Sequence, residues 1–284
     1  MPMQPRSGIQ NSLIASSTDN KPTPTWLLIR GLCRQQLHWE DFPVKLAQRL
    51  NCQVFCGDIA GTGTAWEQFT PTSITDITLQ FRQAFRQQNP DISYPIHLLG
   101  ISMGGMIATE WATLYPNEID AMVFINTSFK KFSPIYQRLK PSKLTTIIRI
   151  LCSASLRQEQ LILNMTSHTQ HSHFHSHQAL AQRWSEYAEQ QPVSRQNALR
   201  QLYAASRFSP PSAAPIEHIL LLASTHDQLV DVRCSTAIAT QWHCPIHYHP
   251  TAGHDLPLDD SQWICDKIWH WLTYPTPNRH SIAI

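Results

Sequence analysis

Ser102 stands between glycines in Gly100-Ile101-Ser102-Met103-Gly104, inside the stretch HLLGISMGGMIA. The chain holds only nine glycines, yet Gly100, Gly104 and Gly105 crowd around this one serine. Glycine inside a regular element costs roughly 0.5–1 kcal/mol relative to alanine, so the cluster marks backbone that needs the missing side chains. G-x-S-x-G between an apolar strand and a helix sets a serine on a tight, strained turn with its hydroxyl above the sheet. Residues two positions to either side then meet, and a hydrogen at Gly100 and Gly104 relieves the contact. Gly105 is expected to let the helix approach the sheet. The helix start also aims unpaired N–H groups and a positive dipole end at the turn, favouring a negative oxygen near Ser102. A phosphate loop is the other use of such glycines, but neither GxxxxGK[ST] nor GxGxxG occurs at this junction.

A serine hydroxyl is a weak nucleophile until a base takes its proton and a third group orients the base. The last third of the chain supplies both. LLLASTHDQLV sets Asp227 just past a strand-like run, and HPTAGHDLPLDD sets His254 in a loop past the next. Among fifteen histidines, His254 alone combines a loop position, a preceding glycine and a place after the last strand. Gly253 is expected to free that loop to present the imidazole. His226 should point away from adjacent Asp227, and His247 and His249 fall within a strand. Asp255, Asp259 and Asp260 lie at a helix start, where capping is the expected task.

Short apolar runs place these residues. TWLLIRG, CQVFCGD, PIHLLGIS, IDAMVFINTS, HILLLAS and PIHYHP read as buried strands. Helical spacing separates them over 38–50, 73–88, 103–115, about 232–242 and 260–272. In the second of these, Ile74, Ile77, Phe81 and Phe85 line one face. Such alternation implies a parallel sheet covered on both faces, with strand-end loops converging on one ligand-binding edge. From about 129 to 214 the alternation stops. KLTTIIRILCSASL, EQLILNMTS and QALAQRWSEYAEQQ are helical, so this stretch reads as an insertion. The expected organisation is a flexible arm over 1–24, a core over 25–128 and 215–284, and a helical insertion over 129–214. Within the insertion, Leu144, Ile147, Ile148, Leu151, Leu161, Ile162 and Met165 suit packing onto the core or roofing an apolar pocket.

Composition excludes several classes. The 284 residues are 42% hydrophobic, and 22 basic residues against 20 acidic give +2, too even for a nucleic-acid or anionic-membrane surface. No apolar run is long enough to span a bilayer. The polar opening MPMQPRSGIQNSLIASSTDNKPTPT lacks the apolar stretch of a secretion signal. Seven scattered cysteines without a CxxC pair point to reduced thiols and a cytoplasmic setting. Cys33 has no histidine at a spacing that marks a nucleophile. SHTQHSHFHSH carries His168, His171, His173, His175 and His177 around Phe174. Imidazoles bind zinc, but structural zinc sites favour cysteine–histidine sets and no cysteine is near, so an exposed polar loop is expected. No cofactor or metal is expected.

RGLCRQQLHW, GDIAGTG, GISMGG, THDQLV and GHDLPLD, in that order from about Trp26 to Leu272, resemble a lid-bearing serine hydrolase of the α/β-hydrolase superfamily. NTSFKKFSPIYQRLKP and PVSRQNALRQL are similar to an uncharacterised proteobacterial branch of it. The resemblance implies the α/β-hydrolase fold, a mostly parallel central sheet flanked by helices with a helical lid. It implies Ser102 as nucleophile, His254 as general base and then acid, and Asp227 as orienter. It also implies an oxyanion hole from the backbone N–H groups of Leu32 and Met103. Some relatives carry the acid after the fourth strand, where this chain reads INTS without a carboxylate, which strengthens Asp227. Relatives commonly have His-Gly where this chain has Arg30-Gly31. The main-chain donor at Leu32 does not depend on that side chain, and Arg30 is left to pair with an acidic neighbour or to shape the entrance.

The implied activity is hydrolysis of small or medium carboxylic esters through an acyl-enzyme, with no nucleic-acid partner and no integral membrane association. Acyl thioester hydrolysis is the alternative that a basic run of Lys130, Lys131, Arg138, Lys140 and Lys143 would favour. A non-catalytic ligand-binding or scaffold protein on the same fold is the other. Dehalogenase and epoxide-hydrolase chemistry is disfavoured, because those enzymes use aspartate as nucleophile.

Overall fold

A computed structural model describes residues 23–168 and 177–274. Residues 1–22 of the expected arm, and His171, His173, Phe174 and His175 of the histidine-rich run, lie outside the described residues. Six strands form one sheet: β1 (Thr25–Ile29), β2 (Gln53–Gly57), β3 (Ile96–Ile101), β4 (Ile119–Ile125), β5 (Ile219–Ser224) and β6 (Ile246–His249). Their order is β2-β1-β3-β4-β5-β6, and every neighbouring pair is parallel. A parallel pair needs a crossover, and helices supply it. The crossovers and flanks are α1 (Phe42–Leu50), α2 (Ile74–Gln88), α3 (Met103–Leu114), then α4 (Ile135–Arg138), α5 (Leu144–Cys152), α6 (Ser155–Thr166), α7 (His177–Gln190) and α8 (Arg195–Arg207). After β5 come α9 (Arg233–Trp242), α10 (Leu256–Asp259) and α11 (Ser261–Thr273).

The two-residue period of a strand feeds two cores. In β1, Leu27 and Ile29 face one side with α2, α3 and α9, while Trp26 and Leu28 face the other with α1 and α11. All five β1 residues and all six of β5 are buried, as expected for strands covered on both faces. The fold is thus an α/β-hydrolase fold with a helical insertion, α5–α8, between β4 and β5.

The insertion departs from its sequence pattern in three places. KLTTIIRILCSASL is two helices, because Ser153 turns extended and its hydroxyl donates to the Arg149 carbonyl at 2.6 Å, a bond local to the helix end. Helix α8 lies within the helical insertion but outside the individual stretches that read as helices. It begins on Ser194, whose hydroxyl accepts from the Asn197 N–H at 3.1 Å. Leu144, Ile148 and Leu151 are exposed on α5, and the packed face is that of Ile147 and Ile150 against Leu161, Ile162 and Met165. Leu163, Leu180, Ala181 and Trp184 join α6 to α7 in a second small cluster.

Polar bonds fasten the insertion to the loops after β1 and β2. Glu159 of α6 pairs with Arg34 at 2.7 Å, and that guanidinium lies over the Trp184 ring at 4.3 Å. Glu40 accepts from Trp184 Nε1 at 2.6 Å and pairs with Arg183. From α8, Gln201 Oε1 accepts from the Cys33 N–H at 2.8 Å and Asn197 Oδ1 from the Thr70 N–H at 3.0 Å. Among the described residues, no helix is long and apolar enough to cross a membrane.

The core is keyed by Trp111, fully buried, edge-on to Phe81 and Phe85 at 6.2 Å each, with its indole N–H on Glu118 at 2.9 Å. Trp111→Ala is expected to cost about 3–5 kcal/mol, read as a lower urea midpoint at unchanged slope.

Candidate active site

Ser102 closes β3 and precedes the first residue of α3 with φ 54° and ψ −118°, backbone that a residue with a Cβ adopts only under constraint. The constraint is close approach. A Cβ at Gly100 would lie 2.5 Å from the Gly104 carbonyl carbon, and one at Gly104 would lie 2.1 Å from the Ile29 carbonyl oxygen. The two glycines therefore let the turn close on itself and let α3 sit against the end of β1. Gly31 passes directly beside the serine, its Cβ position 3.1 Å from Ser102 Cβ and 3.6 Å from Ser102 Oγ. Leu32 follows in that segment, and Met103 opens α3, where an N–H has no acceptor one turn earlier.

Asp227 and His254 meet. His254 Nδ1 lies 2.6 Å from Asp227 Oδ2, with both side chains buried. The other Asp227 oxygen accepts from the Leu229 N–H at 2.7 Å and the Val230 N–H at 3.0 Å, so both carboxylate oxygens are held. Lys140 Nζ donates to the Asp227 carbonyl at 2.6 Å. Burial opposes the imidazolium form of His254, but the Asp227 charge, its hydrogen bond and the Asp255 charge outweigh burial and the nearby Arg30, and the pKa rises above the ordinary 6.5. His226 is exposed and bonds Thr225, away from this pair.

The end of β4 ties the serine to the imidazole loop. The Ser102 N–H donates to the Ile125 carbonyl at 2.9 Å, and Thr127 Oγ1 donates to the Ser102 carbonyl at 3.2 Å. Between them Asn126, buried with φ 49°, donates through Nδ2 to the His254 carbonyl at 2.9 Å. Its Oδ1 accepts from the Ser224 N–H at 2.8 Å. Three consecutive residues thus hold the serine turn, the end of β5 and the His254 loop. Sequence reasoning saw only that INTS lacks an acid. An asparagine at a strand end, able to take positive φ and bond in two directions, was the available signal.

Asp255 does not cap. Its carboxylate takes both guanidinium nitrogens of Arg30, at 2.7 and 3.1 Å, and the guanidinium lies over Trp39 at 4.6 Å. Of the two roles open for Arg30, it is the pairing that is found. Burial opposes the Asp255 carboxylate, yet Arg30, and Arg34 beyond it, hold its pKa below the ordinary value. Asp259 does not cap either: it accepts from the Gly253 N–H at 2.6 Å, Ser167 Oγ at 2.5 Å and the His168 N–H at 3.1 Å. Only Asp260 caps, accepting from the Trp263 N–H at 2.9 Å at the start of α11. Gly253 has no left-handed backbone to relieve. Its Cβ position is 2.5 Å from the Thr166 carbonyl oxygen, so the glycine admits the end of α6 rather than freeing the loop. Burial pushes the Cys33 thiol up to about 12, which keeps it protonated and inert.

Residues 21–261 match the family model described as serine aminopeptidase, S33. The chain belongs to this family of α/β-hydrolases. No match is found among curated proteins. The fold is similar to a serine hydrolase from the polyaromatic-hydrocarbon-degrading bacterium Cycloclasticus zankles, with 15% identity, TM-score 0.73, and coverage of 94% of this chain and 98% of that one. It is similar to a hydrolase from Oleispira antarctica, with 17% identity, TM-score 0.69 and 95% and 96% coverage. A thermophilic esterase from Thermogutta terrifontis matches with 16% identity, TM-score 0.66 and 94% and 92% coverage. At these identities the likeness concerns the fold, and it is this α/β-hydrolase's own loops that carry its chemistry.

Because the folded pKa of His254 lies above its unfolded 6.5, its stabilising contribution is complete below 6.5 and is lost as pH rises through the folded value. The Tm advantage of the wild-type hydrolase over His254→Gln is expected to be largest near the acid end and to shrink as pH climbs. Thermal melts across that range check the sign.

Proposed function

We propose that this chain is a serine hydrolase of small or medium carboxylic esters. Ser102 attacks the ester carbonyl while His254 Nε2 takes its proton, and Asp227 holds the imidazole in the tautomer with Nδ1–H and balances the imidazolium. The Leu32 and Met103 N–H groups stabilise the oxyanion, each donor worth about 3–4 kcal/mol in the transition state. His254 returns the proton to the leaving alcohol, and water then releases the acyl group by the same steps in reverse. The observation that carries this reading is the buried Asp227–His254 bond at 2.6 Å, in loops tied through Ile125, Asn126 and Thr127 to the strained Ser102 turn.

Three features bear on the alternatives to an oxyester hydrolase. An aminopeptidase needs a carboxylate free to take the substrate ammonium. Here Asp227, Asp255 and Glu159 are already held by His254, Arg30 and Arg34, and Asp259 by two backbone N–H groups and Ser167. A thioesterase for phosphate-bearing carriers would use the basic run at the start of the insertion. Yet Lys131 bonds Ser212, Arg138 bonds the Ala205 and Ser206 carbonyls, and Lys140 and Lys143 bond Asp227 and Gln228. These neutral acceptors hold the side chains of Lys131, Arg138, Lys140 and Lys143 against the molecule without cancelling their charge. A non-catalytic scaffold would have no need of the strained serine backbone, which costs on the order of 1–3 kcal/mol.

p-Nitrophenyl acetate and butyrate, a matching thioester and an aminoacyl anilide are the discriminating substrates. The oxyesters are expected to turn over fastest, with Ser102→Ala removing about 10³-fold or more of kcat at unchanged circular dichroism. Oxyester hydrolysis undiminished in Ser102→Ala, or a faster anilide, would refute the reading.

A further inference from the structure

Arg30 is a buried cation just past the end of β1, and its surroundings are unusually specific. Its side chain is 4% exposed and the Asp255 side chain 6%. Two parallel bonds lock the pair, and stacking over Trp39 fixes the guanidinium plane. Replacing a buried ion pair by apolar residues is often neutral or stabilising, so this pair has no stability rationale of its own. Its ends are informative. Arg30 directly precedes Gly31 and Leu32, the segment beside Ser102, and Asp255 directly follows His254. The Asp255 N–H also donates to the Thr166 carbonyl at 2.7 Å, which brings the end of α6 to the same point.

We propose that Arg30 is a positioning residue: through Asp255 it holds the His254 loop in register with the Gly31–Leu32 segment, so that base and oxyanion donor keep one spacing. The role rests on the ester-hydrolase reading above. The bond spans 225 residues of chain and is the direct side-chain tie between the two segments that must act on opposite sides of one carbonyl. It also sets a charge balance. The charged groups about the imidazole are Asp227 from the loop after β5, Asp255 from its own loop and Arg30 from the end of β1. Arg34 adds its charge to that of Arg30 in keeping Asp255 ionised, Asp259 is taken up by Gly253, Ser167 and His168, and Lys140 donates to the Asp227 carbonyl. Removing Arg30 takes away the cation that lowers the His254 pKa, and removing Asp255 takes away an anion that raises it.

The test is an NMR titration of the His254 imidazole, assigned with His254→Gln, in wild type, Arg30→Met, Asp255→Asn and Arg30→Lys, with kcat and KM measured for an oxyester. The midpoint is expected to rise in Arg30→Met and fall in Asp255→Asn, opposite shifts that general loosening does not produce. Arg30→Lys keeps the charge but loses the two parallel bonds, so its midpoint should hold while kcat falls about tenfold at little-changed KM. Midpoints that stay put or move the same way in both neutral variants overturn the proposal, as does full kcat in Arg30→Lys. If a neutral variant fails to fold by circular dichroism, the kcat of Arg30→Lys decides. The titration needs no reactive serine. Ester turnover that survives Ser102→Ala therefore sinks the hydrolase reading while the midpoints still judge Arg30.

Discussion

A buried carboxylate beside a buried imidazole is tolerable only if both are held so that neither faces an apolar wall alone. Asp227 meets this condition with both oxygens in use, one on His254 and the other on two backbone N–H groups of its own turn. The requirement propagates outward. The Asp227 turn must leave β5 at a set angle, Asn126 must cross from β4 to fasten both β5 and the His254 loop, and the Ser102 turn must reach Ile125 and Thr127 on either side of Asn126. The strain in the serine backbone is held by crowding at Gly100 and Gly104, where any larger residue would strike main chain.

Around this centre lie further buried charges, arranged as near-neutral pairs. Arg30 with Asp255 and Arg34 with Glu159 stand in sequence along the loop after β1, each guanidinium stacked on a tryptophan. The first pair joins the core to itself, and the second joins the core to the insertion. Burial of the ions is expensive, and pairing with stacking offsets it. The result is two buried cations and two buried anions matched within the molecule.

Much of the architecture was legible in the sequence because its signals are local. Six apolar runs became six strands within about three residues at each end, and the apolar stripe of Ile74, Ile77, Phe81 and Phe85 became the buried face of α2. Where non-local contacts outvoted local pattern, the reading slipped. The apolar positions Leu144, Ile148 and Leu151 face outward although their spacing suits burial, and α8 formed from a polar stretch docked by Gln201 and Asn197. Periodicity reports which residues share a face, not which face finds a partner.

The candidate site divides along the same line. The G-x-S-x-G turn, the order of serine, acid and histidine, and the excess of glycine around Ser102 follow from residue types and spacing, since a strained turn and a strand-end loop leave local marks. That Asp255 answers a distant arginine instead of capping a helix, and that Asn126 fastens the end of β5 to the His254 loop, were decided only by the fold. A side chain's partner depends on which strand ends lie side by side, and the strand order that sets this is a property of the whole sheet.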